Sequence, residues 1–520
     1  MFSWILNTRI ILIFLIPFTL GGISILSFQP FNLTFFNFFI LPSLFLIFSY
    51  VRKKSVSTYR KRPFLINFFI IGYSFGVSFF LFGNYWISNS LTFDENLKFL
   101  IPIAIILIPL FLGLFYGFAG LLIGPYIKNN FNSLLFFCSI ISLFDYLRGK
   151  ALTGFPWNLW AYSWSWFTEV LQTLNFLGLY AYNFFVILLF SIPAALFFSN
   201  KSRVITLSLG LVLFLFAYLQ GSFEINENQK TLKDFDLKSK MNVKIISPSL
   251  PLNYNLDDDQ IIDLTKKLVR YSDPKKDQET IFVWPEGVFG GKFFEEIKFI
   301  KSVIKENFSK KHLIVFGVNT EDKKLDKIFN SFVVVNNEFE VVYKYDKIKL
   351  VPFGEFLPFE KFFSSFGLKK ITFGYKSFSQ GKNKKNMVLK NWNIKPSICY
   401  EIIFTELFQK SDLKNSFIIN ISEDVWFGNS IGPSQHYAKS ILRAVETDSF
   451  VVRSANKGIS SFINNKGEPI KIMKENEIGS IELDVPKIKN NNQNKNDLIF
   501  FVLLITSIFI FIFFKKNEKR

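Results

Sequence analysis

Histidine and cysteine are nearly missing from this chain: its 520 residues include only His312 and His436, Cys138 and Cys399. Two cysteines, one inside an apolar run and one in a polar stretch, exclude a disulfide framework. Two histidines leave little material for a His-rich metal site or an ordinary Cys-His dyad. Neither a metal nor any other cofactor is therefore expected. Acidic charge is also scarce, with 41 Asp and Glu against 60 Lys and Arg and a net charge of +19. In a soluble chain that balance would suggest nucleic acid. Here many of the basic residues lie in short loops between apolar runs, a placement that membrane topology explains better, so no nucleic-acid partner is expected.

What is abundant is apolar: half of the residues are hydrophobic and 69 are Phe. Stretches long enough to span about 30 Å of hydrocarbon run from Ile10 to Phe28, Phe31 to Tyr50, Phe64 to Leu81, Leu100 to Ile127, Phe131 to Leu147, Phe176 to Phe198, Val204 to Leu219 and Leu498 to Phe514. The chain is thus expected to be polytopic, with about eight transmembrane helices: seven in a membrane domain over residues 1–222 and one in a C-terminal segment over 497–520. Between them, residues 223–496 form a polar domain.

Orientation follows from the loop Val51 to Pro63, which holds Arg52, Lys53, Lys54, Arg60, Lys61 and Arg62 and no acid. An excess of Lys and Arg marks the cytoplasmic side. Counting crossings from there, the loops with Lys128 and with Lys201 and Arg203 fall inside and the loop with Asp94 and Glu95 falls outside. The polar domain then lies in the periplasm and the basic tail Lys515 to Arg520 in the cytoplasm. An inner-membrane, multi-pass protein is expected.

The polar domain reads as α/β. Short β-rich runs at Val243 to Ile246, Thr280 to Val283, Leu313 to Phe316 and Phe332 to Val335 alternate with helical patterns. Further strands are expected at Ile394 to Ile398, Phe417 to Ile421, Phe450 to Val452 and Ile481 to Val485. Asp257 to Tyr271 is a predicted helix, because Ile261, Leu264 and Leu268 recur at helical spacing behind an Asp run at the dipole-favoured end. The Asn/Lys-rich stretch Ile488 to Asn496 reads as a linker.

Three strings place a polar or reactive residue just after a β-rich run: VWPEG, YDKIKLVPFGEFLP and PSICYE. Glu286, Lys347 and Cys399 are chemically a base, a cation and a soft nucleophile, sufficient for covalent acyl transfer without His or metal. Lys344 and Lys349 are nearby decoys; Lys347 stands out by its eight-residue spacing to Glu355. Taken alone, Cys399 would more often be a small buried hydrophobe. His436 reads as a hydrogen-bonded structural residue.

These strings resemble the Glu-Lys-Cys triad of the nitrilase superfamily. Within it the chain is similar to the apolipoprotein N-acyltransferases, through LVPFGEFLP at Leu350 to Pro358, CYE at Cys399 to Glu401, DVWFGNSIGPSQH at Asp424 to His436 and RSANKGIS at Arg453 to Ser460. RGKALTGFPWNLWAYS at Arg148 to Ser163 resembles that family's periplasmic loop; there Arg148 and Trp157 either anchor the loop at the interface or serve the active site.

The resemblance implies an α-β-β-α sandwich and a reaction through a thioester. Cys399 would attack an acyl ester of a phospholipid, phosphatidylethanolamine being the expected donor. The acceptor would be the α-amine of a diacylglyceryl-cysteine at a lipoprotein N-terminus. Glu286 would be the general base, and Lys347 would offset the oxyanion with a backbone N–H near Tyr400. Glu355 would orient the lysine, with Tyr400 and Glu401 as neighbours. Phe356 to Phe366 would supply lipid-facing lids. Two positions depart from the family pattern: SPSLPLNYNL at Ser247 to Leu256 lacks an expected Trp, and Glu423 stands where Asn is expected. The competing readings are a membrane-tethered amidase and an inactive scaffold. The first leaves the GFPW loop and the many spans unexplained, and the second leaves the three triad types unexplained.

Overall fold

The computed structural model describes residues 9–58, 65–233, 240–360, 365, 377–382, 385–408, 416–488 and 497–517. The chain forms two compact units, Met1–Ile225 with Lys495–Arg520, and Asn226–Asn494.

In the first unit, seven helices among the described residues are long and apolar enough to cross a membrane. They are built on α1 (Asn37–Thr58), α2 (Leu65–Asn84), α3 (Ile101–Ile123), α4 (Phe131–Lys150), α5 (Leu179–Ser191, continued by a 3-10 turn to Phe197), α6 (Asn200–Lys233) and the C-terminal helix Leu498–Asn517. The stretch expected to form the first of eight spans is shorter, running from Ile11 to Ser27. At about 1.5 Å per residue it falls somewhat short of the hydrocarbon thickness. Its geometry changes from a π-turn at Ile11–Leu15, ahead of Pro17, through an α-helix to a 3-10 turn at Ser24–Ser27.

Close helix approach in this unit depends on small residues. A Cβ on Gly21 would sit 2.2 Å from the Phe75 carbonyl oxygen, and one on Gly72 would sit 2.1 Å from that of Tyr116. Charge inside the bundle is paired. On α4 the Arg148 guanidinium lies 3.0 Å from the Asp145 carboxylate and donates to the carbonyls of Phe155 and Asn158. Asn183 of α5 donates to Asp145 at 3.0 Å while its own oxygen accepts from Ala161 N–H at 3.1 Å. The GFPW loop is thus pinned from beneath by one buried ion pair, and Trp157 within it is itself buried.

Basic residues gather at one end of the bundle. Arg52, near the end of α1, donates to the carbonyls of Pro125 and Ile127 at 3.0 and 2.9 Å. Lys515 of the C-terminal helix stands 3.7 Å over the Tyr126 ring. At its other end, Asp497 accepts from Tyr146 at 3.2 Å and lies 3.6 Å from Lys150.

The second unit holds two six-stranded sheets. In the first, β1 (Lys240–Ser247), β2 (Thr280–Val283) and β3 (His312–Asp322) are parallel; β4 (Lys327–Val335) and β5 (Val341–Asp346) continue antiparallel. The second sheet repeats the plan, with β7 (Trp392–Ile398), β8 (Ser416–Glu423) and β9 (Val451–Asn456) parallel. Antiparallel β6 (Met387–Leu389) flanks it on one side, β10 (Ser460–Ile463) and β11 (Pro469–Met473) on the other. β12 (Gly479–Pro486) returns to pair antiparallel with β1.

Helix α7 (Asp258–Ser272) starts on a capping box: the Asp257 carboxylate accepts from Gln260 N–H at 2.8 Å and the Gln260 side chain accepts from Asp257 N–H at 3.1 Å. Its Ile261, Leu264 and Leu268 join Ile304 of α8 (Lys301–Asn307) in one core with Phe282, Ile314, Phe316 and Val333 of the first sheet. Helix α9 (Gly432–Thr447) accompanies the second sheet, and Ser454 of β9 donates to the Ile246 carbonyl of β1 at 2.9 Å. This is the expected layering of helices outside two facing sheets. Strands and helix expected from apolar periodicity appear at their places. β5, β6, β10 and β11 are additions, being short or exposed; Val341 and Val342 of β5 face solvent.

Candidate active site

Three strands end within reach of one another. Glu286 follows β2 in the turn after Trp284, whose fully buried indole donates to Ser272 at 3.0 Å and fixes that turn to α7. Lys347 follows β5, and Cys399 follows β7. β3 passes so close that a Cβ on Gly317 would sit 2.8 Å from the Cα of Glu286.

Lys347 is 1% exposed. Its ammonium donates to Glu355 at 2.9 Å and lies 3.6 Å from Glu286. Asn330 of β4 donates to Glu286 at 2.7 Å and to Glu355 at 2.8 Å, so one amide holds both carboxylates to the lysine. Glu286 also accepts from the backbone N–H of Glu423 at 3.0 Å, and Glu355 from that of Val351 at 2.8 Å. Burial is the largest single influence on Lys347 and pulls its pKa down. The Glu355 and Glu286 carboxylates and the Cys399 sulfur together outweigh it, and the ammonium is held in its charged form.

Cys399 sits in the left-handed region at φ 49°, an unusual conformation for a residue with a side chain, which turns the chain sharply from β7 into a 3-10 turn. Burial, then the neighbouring Glu286, push its thiol pKa up, while Lys347 opposes them. The resting group is a thiol, and a base must take its proton for it to attack.

Glu401 ties the nucleophile turn to the lysine segment. One carboxylate oxygen accepts from Tyr345 at 2.9 Å, Ile348 N–H at 2.7 Å and Lys349 N–H at 3.2 Å, and the other accepts from Ile398 N–H at 2.9 Å. Tyr400 packs edge-on against Phe404. Of the expected lid stretch, Phe353 and Phe359 flank the start as exposed aromatics, and residues 361–364 and 366 lie outside the described residues.

Behind Cys399 lies a network that sequence reasoning did not assemble. His436 contacts the Cys399 carbonyl through Nε2 at 3.2 Å, while its Nδ1 lies 3.0 Å from the Asp424 carboxylate and 3.1 Å from the Arg453 guanidinium. Arg453 also donates to Asp424 at 2.7 Å and to Asn420. Burial, then Arg453, lower the His436 pKa to about 4, keeping the ring neutral. Asp424 is held down to about 2 by Arg453 and His436 against the larger, opposing effect of burial. Cys399, Asp424 and His436 bring potential metal-ligating atoms within 4.8 Å of one another. Arg453 occupies the carboxylate and the His436 contacts span both ring nitrogens, so the arrangement fits a brace for the strained turn. Arg453 lay within the quoted RSANKGIS string, and that was its only signal. Asn330 had none.

A carboxylate, a buried ammonium and a thiol thus meet at neighbouring strand ends, on paired sheets flanked by helices, in a chain that also carries a unit of apolar helices. Residues 252–490 match the carbon-nitrogen hydrolase family, and residues 20–192 match the apolipoprotein N-acyltransferase N-terminal domain. With both matches in one chain, it is similar along nearly its whole length to the apolipoprotein N-acyltransferases, acyltransferases of the carbon-nitrogen hydrolase superfamily. It is 28% identical over 505 residues to the apolipoprotein N-acyltransferase of Rickettsia typhi, covering 95% of this chain and 96% of that one. The Brucella suis enzyme of the same name is 27% identical over 486 residues, covering 91% and 89%. Among solved structures, Saccharomyces cerevisiae Nit3, a nitrilase-superfamily member, is 17% identical with a TM-score of 0.36, covering 48% of this chain and 90% of its own.

The geometry separates the two lysines of this segment: Lys349 pairs with Glu406 at 3.0 Å and stands over Phe404, away from Glu286. Lys347→Ala should reduce acyl transfer by at least about a thousandfold, as expected on losing a charge that stabilises an oxyanion. Lys349→Ala should stay within about threefold. A steady-state assay on detergent-purified variants, with thermal melting as the folding control, distinguishes them; the reverse pattern would contradict this register.

Proposed function

We infer that this chain N-acylates lipoproteins, moving a fatty acyl group from a phospholipid through a thioester on Cys399 to the α-amine of an N-terminal diacylglyceryl-cysteine. The observation that carries this reading is the buried ammonium of Lys347, 2.9 Å from Glu355 and 3.6 Å from Glu286. It is a preorganised charge beside a thiol, in a chain whose other unit is built for lipid.

Glu286 takes the Cys399 proton as sulfur attacks the ester carbonyl. The oxyanion forms near Lys347, the C–O bond breaks, and Glu286 returns the proton to the leaving lysophospholipid alcohol. In the second half the lipoprotein amine attacks the thioester, Glu286 accepts its proton, the C–S bond breaks and the thiol is restored. A thioester suits the task because it is activated toward amines, provided bulk water is kept out. Phosphatidylethanolamine is the proposed donor.

For location, the basic cluster of Arg52 and Lys515 at one end of the bundle supports a cytoplasmic face there by the positive-inside rule. The catalytic unit then lies in the periplasm of an inner-membrane protein. A reporter fused near Asn491 should be active only in the periplasm and one after Arg520 only in the cytoplasm; a cytoplasmic signal at Asn491 would overturn the acceptor assignment.

The covalent step is tested without acceptor. Purified protein given phosphatidylethanolamine labelled in an acyl chain should retain label on Cys399, released by hydroxylamine. Adding a diacylated lipopeptide should move the label into a hydroxylamine-resistant amide. Label appearing as free fatty acid at the same rate with or without lipopeptide would make the protein a lipase.

A further inference from the structure

The two departures from the family pattern, Glu423 and the Ser247–Leu256 segment, meet at one side chain. Asn456, the β9 residue paired with Glu423 across the sheet, donates to both Glu423 carboxyl oxygens at 2.9 and 3.1 Å. The same amide holds Leu250 at both backbone atoms, accepting from its N–H at 2.7 Å and donating to its carbonyl at 3.0 Å. That double contact fixes which end of Asn456 faces Glu423. Glu423 is 4% exposed, and a Cβ on Gly287 would lie 3.1 Å from its Oε2, so its carboxyl packs against the residue after Glu286.

Ionising two buried carboxyls packed at one turn is costly, which favours one of them keeping its proton. The partners decide which one holds it. Glu286 has the Lys347 ammonium, the Asn330 amide and a backbone N–H as partners. Among the described residues the hydrogen-bond partners of Glu423 are Asn456 and the Val425 N–H at 3.4 Å, neither of them a cation. Burial, then the charge of Glu286, push the Glu423 pKa well above the carboxylate range, in the same direction as the geometry.

We propose that Glu423 is a positioning residue that acts as a neutral acid: it holds its own proton, keeps Glu286 ionised as the base, and ties it through Asn456 to the Leu250 segment. This rests on the reading of Glu286 as the base. The ionisable groups around the pair are Glu286, Lys347, Glu355, Cys399, Asp424 and Tyr254. Of the carboxylates among these described residues, Glu355 lies against Lys347 and Asp424 against Arg453, whereas Glu423 lies against the Asn456 amide. Ionising Glu423 at alkaline pH would set a second negative charge against the base and disturb its hold on the thiol proton.

The test measures the rate at which labelled phosphatidylethanolamine charges Cys399 in the full-length protein, across pH. Glu423→Gln copies the neutral acid and should charge within about threefold of the unsubstituted protein at neutral pH, while lacking part of its alkaline decline. Glu423→Ala should be slower by about tenfold or more. Three results would each overturn the proposal: Gln as slow as Ala, Ala within about threefold of the unsubstituted protein, or identical alkaline limbs for Gln and the unsubstituted protein. Should Ala fail to fold, the pH comparison with Gln decides alone. Glu286→Gln run in parallel keeps the two claims apart, since normal charging there would remove the base assignment itself.

Discussion

One buried cation organises the catalytic unit. Lys347 is carried to the interior by β5, and a buried ammonium is tolerated only where opposite charge and hydrogen bonds meet it. Glu355 and Glu286 supply the charge and Asn330 aligns both carboxylates. Two neighbouring features serve that arrangement. Glu401 holds the segment on either side of Lys347 to the turn bearing Cys399, and β3 carries glycine at 317 so that Glu286 can approach. Removing the lysine would leave two carboxylates buried together, which is why the same interaction serves stability and chemistry.

The nucleophile is held by a second, separate arrangement. A side-chain-bearing residue at φ 49° costs on the order of 1–3 kcal/mol and persists only if its surroundings fix it. His436 does so at the Cys399 carbonyl, and Arg453 and Asp424 fix His436 in turn. Because burial and Arg453 keep the ring neutral, this brace does not change charge across the working pH range. The proposed acid–base role of Glu286 is in keeping with a thiol whose pKa burial pushes up.

Much of the fold was legible because buried parallel strands are written as continuous apolar runs. IFV of β2 and FII of β8 are such runs, and α7 shows helical spacing behind an Asp cap. The strands not foreseen either lie at a sheet edge or are short: β5 exposes Val341 and Val342, and β6 has three residues. The first apolar stretch also forms a helix, Ile11–Ser27, but a shorter one whose geometry passes through π and 3-10 turns around Pro17, which composition alone does not show. In the site, the residues in recognisable strings could be named in advance. Glu355 and Glu401 were named with them, but the contacts of Asn330, Arg453 and Asn456 were not foreseen, because they act across 44, 29 and 206 positions of sequence, where no local pattern exists. Glu423 was visible as a departure, yet its meaning needed Asn456.

The account stands or falls on the electrostatic coupling of Lys347 to Cys399. The direct measurement is the rate of iodoacetamide alkylation at Cys399, read by mass spectrometry of its peptide, in the unsubstituted protein and in Lys347→Met with melting temperature as the folding control. The account predicts that alkylation in the folded variant slows by about tenfold or more near neutral pH, because the thiolate loses its cation. An unchanged rate in folded Lys347→Met would contradict it.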